Sequence, residues 1–464
     1  MLALIAMLSL AACGETATPV ATSAAATTSA ATTAAATTSA AATTAAAAQT
    51  SAAVAATGLK GDPNLKGEVT VWAWNVAAKS LQEIVPGFNK LYPNVKVNVQ
   101  DIGRTDVYDK LTTGMAAGGA GLPDVAAIES DHMDIYTTKF PNGLLDLTSK
   151  ATKYKDQFDP SKWGQSIHNG KIYSMPWDSG PVGMFYRTDY FQKANVDPNS
   201  IQTWDDYIAA GTKIQAANPG VKMAALDFTK DDGLFRMLLQ QQGAFYFTPD
   251  GKININSPEA VKAMTIIQNA NKAGLFTNAE GWDGAVASMK NGKEATRAFG
   301  VWWSGTIMDS APDAKGKWDA MAMPAIEKGG SRATNLGGST LAIPSTSKNQ
   351  DAAWAYVEYA TATAEAQNIM FKKYGIFPSF IPAYQDAFYS APNEFFAGKP
   401  IWQTFTKLVP DIKPVTYTSD NDKALVAGAN AQGAILGGAD IKQTLDKAAS
   451  DLKNQTKRTL AIGG

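Results

Sequence analysis

The sequence predicts an α/β protein of two lobes joined by hinge crossings, with a ligand cleft between them. Three observations predict it. At 464 residues the chain is too long for one average domain, and 45% apolar with 18% charged residues is enough to bury two cores. Short β-type runs alternate with stretches of helical spacing on both sides of the middle, the rhythm of βαβ units. Between them, residues 168–191 (HNGKIYSMPWDSGPVGMFYRTDYF) hold two strand-like runs around a Pro- and Gly-bearing centre. That pattern reads as a strand leaving one sheet, a crossing, and a strand entering the next. Trp177 and Asp178 sit at the crossing, where a ring and a carboxylate would look into the gap.

The N-terminus comes first in order. Residues 1–12, MLALIAMLSLAA, form an apolar run too short to span a bilayer but long enough for the core of a signal peptide. Leu10-Ala11-Ala12-Cys13-Gly14 resembles the bacterial lipobox, in which a cysteine after small residues is lipidated and becomes the mature N-terminus. The chain's sole cysteine, Cys13, falls on it. No Lys or Arg precedes the run, so the expectation is that the signal peptide begins upstream of Met1. The plainer alternative is an ordinary secretory signal with a chance cysteine. Residues 14–57 are nearly all Ala, Thr and Ser, with no apolar periodicity, and read as a disordered linker holding its ends about 35–40 Å apart. Its threonines suit O-linked sugars and lower the case for a helix.

Residues 68–74 (EVTVWAW) alternate, Val69, Val71 and Ala73 on one face against Thr70, Trp72 and Trp74 on the other: a strand. Leu81, Ile84, Val85, Phe88 and Leu91 have helical spacing, Pro93 ends the helix, and Val95, Val97 and Val99 alternate in a second strand. An amphipathic stretch over residues 107–115 meets the breaker GGAGLP, and residues 124–128 (DVAAI) make a third, buried strand. Such units imply a parallel sheet, whose ligands lie beyond the carboxyl ends of the strands. Trp74 and Asn75 follow the first strand, and Glu129, Ser130 and Asp131 follow the third.

Beyond the crossing, Thr203-Trp204-Asp205-Asp206 fits a capping box, and residues 223–228 (MAALDF) read as a strand carrying Asp227 at its end. Ser257-Pro258-Glu259 starts a helix that Gly274 stops. Residues 298–303 (AFGVWW) read as a strand delivering Trp302 and Trp303, one to each face. After residues 318–324 (WDAMAMP) comes a Gly-rich turn, then NLGGS and the strand TLAIP. Ser347 to Gln350 matches a second capping box, and Ile441, Leu445, Ala448 and Leu452 line one face of a last helix.

Composition excludes several function classes. Net charge is −1, so nothing argues for nucleic acid or a polybasic membrane surface. One cysteine and two histidines, His132 and His168, remove Cys/His zinc sites, a Cys–His nucleophile in the folded part and any intrachain disulfide. No metal and no cofactor is expected, and both histidines read as ordinary polar residues. All eleven tryptophans follow residue 70. Trp72 and Trp354 read as core, and Trp74, Trp177 and Trp302 as cleft surfaces.

Taken in order, EVTVWAW followed by a helix, LPDVAAIESD, GKIYSMPWDSGPVGMFYRTDYF with TWDDY downstream, AFGVWWSG, NLGGSTLAIPSTSKNQDAAWAYVEYA and GAILGGADIKQTLDKAASDLK resemble the extracellular solute-binding proteins of ABC importers. The match is to the large sugar-binding family that includes maltose-binding protein, over residues 66–460. The resemblance implies a periplasmic-binding-protein-like fold, with crossings near residues 181–184, near 321–325 and after 359. Lobe 1 would be 58–181 with 325–360, and lobe 2 would be 182–324 with 361–464. By motif position, Asp131 matches a polar residue that hydrogen-bonds sugar hydroxyls, and Trp302 or Trp303 an aromatic that stacks on a sugar ring. Trp177 and Asp178 occupy the hinge motif, Asn75, Glu129 and Asp227 match cleft-facing loop positions, and Gly337 and Gly338 a turn whose backbone approaches ligand. Maltose-binding protein has a tryptophan where this chain has Ile128, so its subsite details do not transfer.

A pyranose offers a rim of hydroxyls and apolar C–H faces, which carboxylates and indoles can satisfy together. Glu129 and Asp227 could equally cap helices or pair on the surface. The implied function is carbohydrate capture by a monomeric lipoprotein, anchored to the outer face of the cytoplasmic membrane, that serves an ABC permease with a separate ATPase. The chain has no phosphate-binding GxxxxGK[ST] of its own, and no catalytic residue or enzyme activity is expected. Three rivals stand beside it: a binding protein for a polyol phosphate, polyamine or peptide; a secreted glycoside hydrolase, for which a carboxylate pair among the 42 acidic residues would suffice; and an adhesin or structural surface protein, which would show no ligand-induced closure.

Overall fold

The computed structural model describes residues 58–462. The signal peptide, Cys13 and the linker 14–57 lie outside the described residues, among which no helix is long and apolar enough to cross a membrane.

The first lobe is organised by strand β1 (Gly67–Ala73), helix α1 (Asn75–Glu83), strand β2 (Val95–Asp101), helix α2 (Arg104–Ala116) and strand β3 (Val125–Glu129). β1 pairs in parallel with β2 and β3, Val71 facing Val99 and Val125, as the βαβ reading requires. The alternation in β1 sets its two faces. Val69, Val71 and Ala73 enter one core with Leu81, Phe88 and Trp354, while Trp72 enters another with Val107, Leu111 and Ile128. Helix α3 (Pro160–Gln165) starts on an Asp159 cap, and strand β4 (Ser174–Pro176) follows.

The chain then crosses. Strand β5 (Val182–Arg187) opens the second lobe, followed by α4 (Trp204–Ala217), β6 (Ala224–Leu226), α5 (Gly233–Gln242), α6 (Pro258–Lys272), β7 (Phe276–Asn278), α7 (Gly281–Lys290) and β8 (Thr296–Gly300). The Thr203–Asp206 capping box opens α4, and the Ser257 cap with Pro258 opens α6. Helix α8 (Trp303–Ser310) and strand β9 (Trp318–Ala322) complete this part. Here the rhythm misleads: β6 and β7 are parallel, but β5 is flanked by β8 and β9, both antiparallel to it. The strand read over residues 298–303 also ends early, at Gly300, and Trp302 and Trp303 start α8 instead.

Strand β10 (Ser339–Ala342) returns to the first sheet, inserting between β3 and β4 and antiparallel to both. Helix α9 (Gln350–Ala362) follows, capped differently from the expected box: Ser347 Oγ accepts the Asn349 amide and donates to Asp124. Both expected later crossings shift. Residues 325–335 stay with the second lobe, the Ala325 amide bonding Gln202 O and Thr334 Oγ1 donating to Met237 O. Helix α10 (Ala364–Tyr374), expected in the second lobe, buries Ala366 and Met370 in the first core, because those two residues sit one turn apart and face α1. The chain then passes through Phe377 into helix α11 (Ile401–Leu408), whose Trp402 and Phe405 pack in the second lobe, and ends in α12 (Asn421–Leu436) and α13 (Ile441–Thr456) on the same lobe.

Candidate functional site

Strand ends and the crossings converge on one region. On the first lobe, β1 delivers Trp74 and Asn75, α2 delivers Arg104 and Tyr108, and β3 delivers Glu129, Asp131 and His132. Trp74 is half-buried, its ring 6.0 Å from that of Tyr108. Asn75 is exposed at φ +48°, its amide held by Asp101 Oδ1 at 2.7 Å. The His132 ring stacks on Tyr108, and His132 Nδ1 lies 2.8 Å from Asp131 Oδ1.

Glu129 is committed locally: Arg104 Nε donates to it at 2.6 Å and the Tyr108 hydroxyl at 2.7 Å. Asp131 keeps an exposed edge, at 28% of its side chain. Burial works to raise its carboxyl, but bonded His132, with Arg236 and Lys162 beyond, holds it below the ordinary range. His132 is held above its ordinary value in return: burial lowers it, and Asp131 and Glu129 more than offset that. Glu129, Asp131 and His132 bring one potential metal ligand each within 4.8 Å of one another. Arg104, Tyr108 and the Asp131–His132 pair already occupy their charge and lone pairs, so the cluster is self-neutralising.

The hinge sits behind this wall. Gly337 and Gly338 have φ of +84° and +102°, a left-handed turn only glycine adopts without strain. Gly338 O accepts the Ser130 amide at 3.0 Å, which ties the turn to the residues that carry Asp131. Asp178 Oδ1 accepts the Ser339 amide at 2.6 Å. Burial pushes the Asp178 carboxyl up to about 6, against the pull of Lys162 and of Ser339.

The second lobe contributes Trp302, half-buried at the start of α8, whose Nε1 donates to Leu336 O at 3.2 Å beside the glycine turn. Trp282, half exposed at the start of α7, stacks on Trp302 with centroids 6.0 Å apart. Arg236 on α5 pairs with Asp231 at 2.8 Å and Asp232 at 2.9 Å, and its charge reaches Asp131 on the opposite lobe.

Three expected site residues fall elsewhere. Trp177 is buried in the first core, its Nε1 directed at Met370 Sδ, because the crossing turns its ring inward. Trp303 is fully buried in the second lobe: on a helix rather than a strand, it points one residue's rotation away from Trp302, into the core beneath α8. Asp227 lies at the second-lobe wall, but its carboxylate accepts the amides of Thr229, Lys230 and Gly281, a capping role that holds it below the ordinary range despite burial. Sequence reasoning missed Tyr108, His132, Arg236, Trp282 and Lys162. For Tyr108 a signal existed: it follows Arg104 by four residues on a helix, the spacing that puts both beside one strand end.

In sequence and fold the chain is similar to known proteins. Residues 72–367 match the model of the bacterial extracellular solute-binding protein family. The chain is 32% identical over 404 residues to a lactose-binding protein of Rhizobium radiobacter, covering 83% of this chain and 93% of that one. It is 28% identical over 402 residues to an arabinooligosaccharide-binding protein of Bacillus subtilis (strain 168), covering 84% and 92%. Among solved structures, an ABC transporter associated binding protein from B. animalis subsp. lactis Bl-04, in complex with β-1,6-galactobiose, superposes with a TM-score of 0.67 at 28% identity, over 85% of this chain and 98% of that one. The sugar-binding protein MalE from Xanthomonas citri shares the fold, with a TM-score of 0.73 at 20% identity over 84% and 97%.

Proposed function

This chain belongs to the bacterial extracellular solute-binding protein family, and on that footing we propose that it captures a neutral sugar or oligosaccharide outside the cell. It closes its lobes on the sugar and hands it to the permease of an ABC importer whose ATPase is a separate chain. Closure follows if the sugar touches both walls only in the closed form, which shifts the population toward it. The lobes in this reading are residues 58–178 with 339–383 and residues 182–335 with 387–462. The signal run, lipidated Cys13 and the 14–57 tether hold a monomer at the membrane's outer face.

The observation that carries the reading is the company of Asp131. A carboxylate with an exposed edge lies beside the Tyr108–His132 stack and within the reach of Arg236's charge, and the second lobe offers a half-exposed indole, Trp282, stacked on Trp302; together these suit a hydroxyl rim and an apolar face. Arg104, Arg187, Arg236 and Arg297 are each paired with a carboxylate of their own lobe, which counts against their holding a phosphate ligand. The solute is bound without being transformed.

Thermal shift and calorimetry on the Cys13→Ser chain test this, with lactose, arabinotriose and β-1,6-galactobiose against sn-glycerol 3-phosphate, spermidine and amino acids. A sugar that binds only the folded state adds about 2.7 kcal/mol of stability at a hundred times its Kd. Stabilisation by the phosphate or polyamine alone refutes the sugar, and new reducing ends after incubation with an oligosaccharide would establish the hydrolase instead.

A further inference from the structure

Lys162 is an unusual residue to find wholly buried. It sits on α3, and its ammonium donates to Gly337 O at 2.5 Å and to Gln165 Oε1 at 3.1 Å. Among the described residues no carboxylate oxygen lies within ion-pair distance of it. A Cβ on Gly338 would stand 2.6 Å from the Lys162 ammonium and 2.8 Å from Asp178 O, so the glycine turn is moulded around this cation. From the turn, bonds run outward: Gly338 O to the Ser130 amide, Ser339 amide to Asp178 Oδ1, and Asn335 from Gly337 O to the Gly180 amide. The first crossing, the glycine turn and the end of β3 thus meet above one lysine.

We propose that Lys162 is a positioning residue for ligand capture: its buried ammonium fixes the Gly337–Gly338 turn, which through the Ser130 amide holds Asp131 at the cleft wall and through the Ser339 amide holds Asp178 behind it. This rests on the carbohydrate reading above. Burying a lone ammonium is costly and drives its proton affinity down, and only surrounding negative charge offsets that. The carboxylates that do so come from separate elements: Asp159 from the start of α3, Asp178 from the first crossing and Asp131 from the turn after β3. Asp178 in turn faces Lys162 and, more weakly, Glu129, which opposes its ionisation. Asp159 is also tied to Ser161 and Ser179, so the lysine shares its network with the other crossing strands.

The test has two arms. In the ligand-free Cys13→Ser chain, carbon-13 NMR of the aspartate carboxyls should show Asp178 titrating near pH 6, and at a higher pH in Lys162→Met. Calorimetry with lactose and β-1,6-galactobiose should then show sugar affinity falling between pH about 7.5 and about 5 in the parent, and at least about tenfold weaker with its fall displaced to higher pH in Lys162→Met. An Asp178 midpoint that does not move, or a variant whose pH profile overlays the parent's, overturns the proposal. If neither sugar binds, the carbohydrate reading fails separately, and the titration still decides whether Lys162 sets Asp178. Should Lys162→Met not fold, the unaltered chain decides: a nitrogen-15 ammonium signal coupled across its hydrogen bond to the Gly337 carbonyl supports the proposal, and its absence overturns it.

Discussion

The rings of His132 and Tyr108 lie one on the other, centroids 4.5 Å apart and planes within 5°. The Tyr108 hydroxyl donates to Glu129, and His132 holds Asp131, so one aromatic pair orients both carboxylates at the end of β3. Tyr108→Phe keeps the stack and removes the two bonds of its hydroxyl with Glu129, one given to the carboxylate and one accepted from the amide, which should weaken sugar affinity by a few-fold. Tyr108→Ala removes the shelf and should cost tenfold or more, about 1.4 kcal/mol. Equal affinities for the two variants, by calorimetry, would show that the shelf plays no part.

His132 gives a pH signature. Its folded proton affinity is raised, so the stability it contributes is fully present below the ordinary histidine value of about 6.5 and is lost as pH rises through the folded value. Melting temperatures measured from pH about 5.5 to about 8.5 should therefore decline more in the parent than in His132→Gln. Parallel curves would refute the linkage.

Adjacent tryptophans should separate binding from stability. Trp303 is fully buried, and Trp303→Ala should destabilise by about 3–5 kcal/mol. Trp302→Ala removes a half-buried ring at the cleft, and should abolish sugar binding with a smaller fall in melting temperature. The reverse pattern would exchange their roles.

In the second lobe, Glu294 is fully buried and pairs with Arg297 through both nitrogens of the guanidinium fork, at 2.7 Å and 2.5 Å. Burial raises the Glu294 carboxyl and Arg297 opposes the rise. Arg297→Met leaves that carboxylate unpaired and should cost about 3–5 kcal/mol, whereas changing both residues to apolar ones should recover much of the loss. Chemical denaturation of the parent and the two variants measures it.

At the hinge, a Cβ on Gly180 would overlap Leu336 O. Gly180→Ala should push the first crossing away from the 335–338 turn and change the radius of gyration in solution scattering without added sugar. An unchanged radius would mean that the crossings yield independently of one another.

The first lobe was largely legible because its periodicities are local: alternation sorted the faces of β1, and helical spacing found α1. Thr203 and Ser257 caps were legible for the same reason. The antiparallel pairing of β5 was not, since alternation of apolar residues states a strand and leaves its direction open. Trp177 was misplaced because an aromatic at a crossing looks the same in sequence whether its ring turns in or out, and Trp303 because the strand read over 298–303 ends at Gly300 and a helix takes over. Asp227 could not be told from a ligand contact, because a capping aspartate and a sugar-binding one have the same chemistry. Lys162, the one residue joining α3 to the glycine turn, is separated from that turn by 175 positions, and no short-range pattern reaches that far.

The placement of β10 has a consequence in time. It lies between β3 and β4, and Thr340 reaches Ile128 across 212 positions. While a ribosome is still making the second lobe, the first has parallel strands with a vacant central berth and a large loop yet to close. Its sheet is completed only once the chain has been made beyond residue 342. By this strand order alone, synthesis passes through a long interval in which neither lobe is finished.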